Sequence, residues 1–163
     1  MTKILILETS ATIQKLFTTV LDNKRYSIKF EDNPKNVFSS LEDFKPKLFL
    51  LNTDITEPKS FEIVKLVRTI QSMNDLIIGM YANIATALEE TFAIESGADM
   101  FICLDPETLS YDVNNFAEIE KPKTERSKRE EKINDALLFL NAAELLSNSS
   151  YKNSILTKII LLI

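Results

Sequence analysis

The sequence predicts a doubly wound α/β fold: five parallel strands in the order 2-1-3-4-5, followed by a C-terminal helical extension. Three observations lead there. Short apolar runs alternate with amphipathic segments five times within residues 1–120. Most of those runs are apolar throughout, as strands are when helices cover both faces of their sheet. Strands joined through helices are parallel and cross over right-handed, and a five-strand unit of this length takes that order most naturally.

Each element has its own warrant. Residues 3–7, Lys-Ile-Leu-Ile-Leu, read as a buried strand. Residues 10–22 place Ile13, Leu16, Phe17, Val20 and Leu21 at helical spacing, with Ser10 as N-cap. Tyr26, Ile28 and Phe30 alternate with polar residues as a second strand. Pro34 opens a helix that turns Val37, Phe38 and Leu41 inward. Residues 47–51 form a third strand, and Pro58 starts a helix carrying Phe61, Val64, Val67 and Ile70. Residues 76–80 are a fourth strand. Residues 84–96 follow as a helix with Leu88, Thr91, Phe92 and Glu95 on its face, closed by Gly97. Residues 100–104 are the fifth strand. Residues 106–119 are the fifth helix, with Leu109, Val113 and Phe116 inward.

Composition narrows the chemistry. The 163 residues are 45% hydrophobic and 26% charged, which suits a globular protein with a real core. Histidine is absent, so Ser-His-Asp and Cys-His catalysis, phosphohistidine and histidine metal sites are excluded. A single cysteine, Cys103, permits no internal disulfide and points to a reducing, cytoplasmic setting. Its place in the fifth strand suggests a buried, inert thiol. Two glycines cannot supply a GxGxxG turn or a Walker loop. No apolar run reaches membrane-spanning length, and the N-terminal run is too short for a signal-peptide core.

The net charge of −5 is unevenly spread. Residues 1–120 hold 11 basic and 19 acidic side chains, and residues 121–163 hold 8 and 5. An acidic first part argues against nucleic-acid contact there. Three parts emerge: a domain at 1–120, a charged linker at 121–132 (KPKTERSKREEK), and a tail at 133–163 that is helical or begins an output region. The tail offers Ile133, Ala136, Leu137, Leu140, Ala143 and Leu146 as an apolar face needing cover. Nothing in it reads as a helix-turn-helix with basic recognition positions.

In such sheets chemistry gathers at the carboxyl ends of the strands. The residues there are Glu8, Thr9, Asn52, Thr53, Asp54, Tyr81, Ala82, Leu104 and Asp105. The segments KILILETSATIQKLF and KLFLLN, with Gly97-Ala98-Asp99 before the fifth strand, together resemble a bacterial response-regulator receiver domain of the CheY-like, flavodoxin-like kind. The resemblance covers roughly residues 2–120. It implies a phosphoryl-accepting aspartate at the end of the third strand and a magnesium ion held with acids after the first. It also implies a Thr or Ser after the fourth strand and a Lys after the fifth. A carboxylate nucleophile attacks phosphorus, while metal and lysine offset the growing charge.

This chain departs from the pattern at those positions. The acceptor position holds Asn52, and the acid pair is Glu8 and Thr9. Tyr81 replaces the small hydroxyl, Leu104 replaces the lysine, and Asp105 follows it. Thr56 and Ser60 stand where the family has proline and glycine. Asp54 either turns toward the site or starts the next loop. The expected pocket is therefore a degenerate one, Glu8, Thr9, Asn52, Asp54, Tyr81 and Leu104, filled by Tyr81 and stable without magnesium or any other cofactor.

The reading that follows is a non-enzymatic pseudo-receiver, an interaction module acting without phosphorylation. Its partners are expected to be signalling proteins, or a second copy, held through the fourth-helix/fifth-strand/fifth-helix face (Tyr81, Phe101, Asp105) or through the tail. Neither membrane nor nucleic acid is expected as a partner of this chain alone. The alternatives are an atypical phosphoacceptor and a small-molecule-binding flavodoxin-like domain. For the latter, Thr9-Ser10-Ala11-Thr12 faintly echoes a phosphate loop.

Overall fold

The computed structural model describes residues 1–120. The linker expected at 121–132 and the tail at 133–163 lie outside the described residues. The strands are β1 (Thr2–Leu7), β2 (Tyr26–Glu31), β3 (Leu48–Asn52), β4 (Ile77–Ala82) and β5 (Met100–Cys103). The helices are α1 (Ala11–Val20), α2 (Val37–Phe44), α3 (Ser60–Thr69), α4 (Ala87–Ser96) and α5 (Leu109–Glu118). All pairings are parallel and the order is β2-β1-β3-β4-β5, as expected. Among the described residues, no helix is long and apolar enough to cross a membrane.

The unbroken apolar strands are explained by two cores. Successive side chains leave a strand on opposite faces. Leu5, Leu7, Phe49, Leu51, Ile78 and Met80 therefore pack on one side with Val37, Leu41, Ile63, Val64, Val67 and Ala93, the residues of α2, α3 and α4. Ile4, Ile6, Leu48, Leu50, Ile77 and Tyr81 pack on the other with Phe17 of α1 and Leu109, Val113 and Phe116 of α5. Gly79 lies on this second side, where an added Cβ would come 2.7 Å from Leu50 Cδ2 and 3.3 Å from the Phe116 ring. The missing side chain lets β4 and α5 approach closely.

Several local expectations are corrected. Pro34 opens a 3₁₀ turn (Pro34–Asn36) before α2 begins at Val37. α3 starts at Ser60 and not at Pro58, because Lys59 is still extended (φ −60°, ψ 138°). α4 starts at Ala87, where Thr86 and Glu89 form a reciprocal capping box. The face expected on α4 is turned outward: Leu88, Thr91, Phe92 and Glu95 are exposed, and Ala93 and Ser96 are buried. Small residues let the helix lie close to the sheet, so its larger apolar side chains are displaced to the flank. Gly97 closes α4 at φ 103°, as read from the sequence. Cys103 is exposed and not buried, because it ends β5 beyond the cover of the helices, with Sγ 3.6 Å from the Asn83 carbonyl.

Arg68 ties α3 to the β4–α4–β5 region. Its guanidinium donates to the Leu76 and Gly97 carbonyls at 2.8 and 2.7 Å and to Asp99 at 2.6 Å. Asp99 also accepts from the Ile78 N–H at 2.8 Å.

Candidate functional site

Three strand ends meet around one carboxylate. Glu8 directly follows β1 and is 1% exposed. Asn52 ends β3, and Tyr81 stands opposite it in the β3–β4 register. Glu8 Oε2 accepts from Asn52 Nδ2 at 2.9 Å and from the Tyr81 hydroxyl at 2.7 Å. Glu8 Oε1 accepts from the Ser10 N–H at 2.7 Å, and the Glu8 carbonyl accepts from Gln14 Nε2 at 2.7 Å.

Three donors thus satisfy a buried carboxylate. Three donors to a charged acceptor are each stronger than neutral hydrogen bonds. The carboxylate also lies at the N-terminus of α1, where the helix dipole favours negative charge. Ser10 occupies the N-cap position, yet its side chain makes no capping hydrogen bond. The expected hydroxyl cap is replaced by the Glu8 carboxylate on the Ser10 backbone.

Tyr81 is fully buried, with its ring edge-to-face on Phe17 at a centroid distance of 5.3 Å. Burial pushes its phenol well above the ordinary value of 10.0, and the neighbouring Glu8 carboxylate pushes it further. The hydroxyl is thus a fixed donor at neutral pH. Asn52 uses both ends of its amide: Nδ2 donates to Glu8, and Oδ1 accepts from the Asp54 N–H at 2.9 Å. Those opposed partners set the orientation of the amide.

The side chains of the remaining residues of the expected pocket make no hydrogen bond to this cluster, although the Asp54 charge adds to the forces holding the Tyr81 phenol up. Thr9 is exposed. Asp54 is exposed, and its Oδ2 lies 3.5 Å from Asn83 Nδ2, so it turns into the loop and not toward Glu8. Leu104 packs against the α1/α5 core, and its N–H donates to the Ala82 carbonyl at 2.8 Å. The Thr53 hydroxyl is buried with no hydrogen-bond partner.

Of the expected interaction face of Tyr81, Phe101 and Asp105, Tyr81 is not available at the surface. Met80 pairs with Phe101 and Tyr81 with Ile102, so Tyr81 and Phe101 emerge on opposite faces of the sheet. Tyr81 is wholly enclosed, and Phe101 packs partly buried against the α2/α3/α4 core. Asp105 holds the turn before α5: its Oδ1 accepts from the Glu107 N–H at 2.9 Å, and its carbonyl accepts from the Leu109 N–H at 2.8 Å.

Sequence reasoning did not find Gln14, Phe17 or the Ser10 N–H as parts of the site. Only the last had a signal, since it lies two residues after a strand-end carboxylate.

The donor set does not fit the magnesium ion that a working receiver would hold. Magnesium needs free hard oxygens in a near-octahedral array. Both oxygens of Glu8 and the Asn52 oxygen are already committed to N–H and O–H donors. Among the described residues, no group of three or more His, Cys, Asp and Glu could hold a metal ion.

The sheet order and the five covering helices define a CheY-like, flavodoxin-like fold. No family model matches the chain, and no curated protein matches its sequence. Solved structures do match. A response regulator from Chloroflexus aurantiacus J-10-fl has a TM-score of 0.67 at 18% identity, covering 72% of this chain and 98% of that one. The signal receiver domain of a DNA-binding response regulator from Colwellia psychrerythraea 34H gives 0.66 at 20% identity, covering 73% and 100%. The chemotaxis response regulator CheY4 of Vibrio cholerae gives 0.65 at 18% identity, covering 71% and 98%. At these identities the likeness is one of fold.

Proposed function

We propose that this chain is a phosphorylation-independent pseudo-receiver, a non-enzymatic protein-protein interaction module in signal transduction. The observation that carries the reading is the Glu8–Asn52–Tyr81 cluster. Phosphoryl transfer to a receiver needs an anionic oxygen as nucleophile. Asn52 offers an amide whose oxygen already accepts the Asp54 N–H. The charge that builds on a transferring phosphoryl group needs cations. The lysine position is Leu104, and Glu8 is engaged by three donors. What the fold retains is a rigid scaffold whose strand ends are bonded together in a single arrangement.

The test is incubation of the full chain with acetyl phosphate and magnesium, followed by intact mass spectrometry. No added phosphoryl group is expected. A stoichiometric gain that disappears in Asn52→Ala would overturn the reading and restore an atypical phosphoacceptor.

A further inference from the structure

Helix α4 carries an apolar flank open to solvent. Leu88 is 63% exposed and Phe92, one turn on, is 48% exposed; Ile84, just before the helix, is 79% exposed. The Phe92 ring meets Phe61 of α3 edge-on at 6.2 Å, which places this flank on the side of α4 toward α3. It is therefore not the fourth-helix/fifth-strand/fifth-helix face expected from the sequence.

The charge of α4 itself is one-sided, with three glutamates and no lysine or arginine. From residue 69 to residue 120 the sequence contains no lysine or arginine and ten aspartates and glutamates. Two of the ten are ion-paired to arginines from earlier in the chain, Asp99 to Arg68 and Glu118 to Arg25. On α4 itself Glu89, Glu90 and Glu95 flank the apolar residues, and α3 adds Glu62 and Lys65. Such a field attracts cationic surfaces and repels acidic ones. A second copy docked about a two-fold axis would set the same acids against each other.

We propose that the α3–α4 flank, Ile84, Leu88 and Phe92 among the acids of α4, docks a cationic amphipathic helix of a partner protein. Apolar anchors at helical spacing would cover Leu88 and Phe92, and lysines or arginines beside them would meet Glu90 and Glu95. The proposal rests on the interaction-module reading and gives that module its surface and the chemistry of its partner.

The test is a titration of isotope-labelled full-length protein with a synthetic amphipathic Leu/Lys helical peptide, followed by NMR. A scrambled peptide of the same composition and a Leu/Glu counterpart are the controls. Amide shifts are expected at residues 84–92 and at Phe61, with a Kd of about 100 µM or tighter. The exposed-site variant Leu88→Ser/Phe92→Ser should bind about tenfold or more weakly while keeping its fold by circular dichroism. Raising salt from about 0.1 M to about 1 M should weaken binding, since screening then acts within about 3 Å.

Absence of binding would overturn the proposal. So would equal affinity for the scrambled peptide, or shifts confined to α5. Self-association that the double variant abolishes would assign the flank to a second copy and overturn it too. A phosphoryl mass gain refutes the pseudo-receiver reading through a separate measurement, so the two failures are distinguishable.

Discussion

Replacing Tyr81 by phenylalanine removes one oxygen from the centre of the cluster and leaves the ring against Phe17. The lost bond is the 2.7 Å donation to Glu8 Oε2, made where Tyr81 is fully buried and Glu8 is 1% exposed. A hydrogen bond to a charged group contributes about 1.5–3 kcal/mol net. Glu8 keeps its Ser10 and Asn52 donors, so the carboxylate is not orphaned, and a loss of about 2 kcal/mol is expected. Urea unfolding of Tyr81→Phe should show a lower midpoint at unchanged slope. In a domain of this size the melting temperature should fall by about 6–10 °C.

The pH dependence provides an independent check. The native Tyr81 phenol titrates well above 10.0, so above that pH the unfolded chain loses a proton that the native state retains. The native state then binds more protons, and stability falls as pH rises. The stabilising contribution is full below pH 10.0 and is lost as pH climbs through the native value. Tyr26, also raised by burial, acts in the same direction. The alkaline decline of wild type should be steeper than that of Tyr81→Phe by up to about 1.4 kcal/mol per pH unit, the equivalent of one proton. An unchanged urea midpoint, or parallel alkaline declines, would refute the reasoning that this bond anchors the site.

Asn52→Asp replaces a donor at 2.9 Å from Glu8 by a second carboxylate. A destabilisation of about 2–4 kcal/mol at neutral pH is expected. Two facing carboxylates favour keeping one proton, so the variant should recover toward wild type as pH falls; urea midpoints at mildly acidic and neutral pH would show the gap narrowing. Gly79→Ala puts a Cβ 2.7 Å from Leu50 Cδ2 and 3.3 Å from the Phe116 ring. Overpacking there should cost about 1–3 kcal/mol by thermal or urea unfolding.

Much of the fold was legible because it depends on local periodicity. Strands that are apolar on both faces, with helices between them, have few ways to cover themselves, and right-handed crossovers leave few strand orders to choose among. Where local pattern and packing disagreed, packing decided. On α4 the large apolar residues suggested an inward face, yet Ala93 and Ser96 took it because only small side chains allow that close approach. Cys103 shares its strand with partly buried Phe101 but lies past the helix cover, a boundary invisible in sequence.

The candidate site divides in the same way. Sequence alone makes Asn52, Tyr81 and Leu104 legible as an amide, a phenol and an alkyl group at strand ends, types whose chemistry is the same wherever they sit. Only the tertiary structure brought Glu8, Asn52 and Tyr81 onto one another, across sequence separations of 44 and 73 residues. The same register turned Tyr81 inward and Phe101 to the opposite face of the sheet. Side-chain identity is a local property, whereas hydrogen bonding between strand ends depends on which strands become neighbours and which face each residue takes.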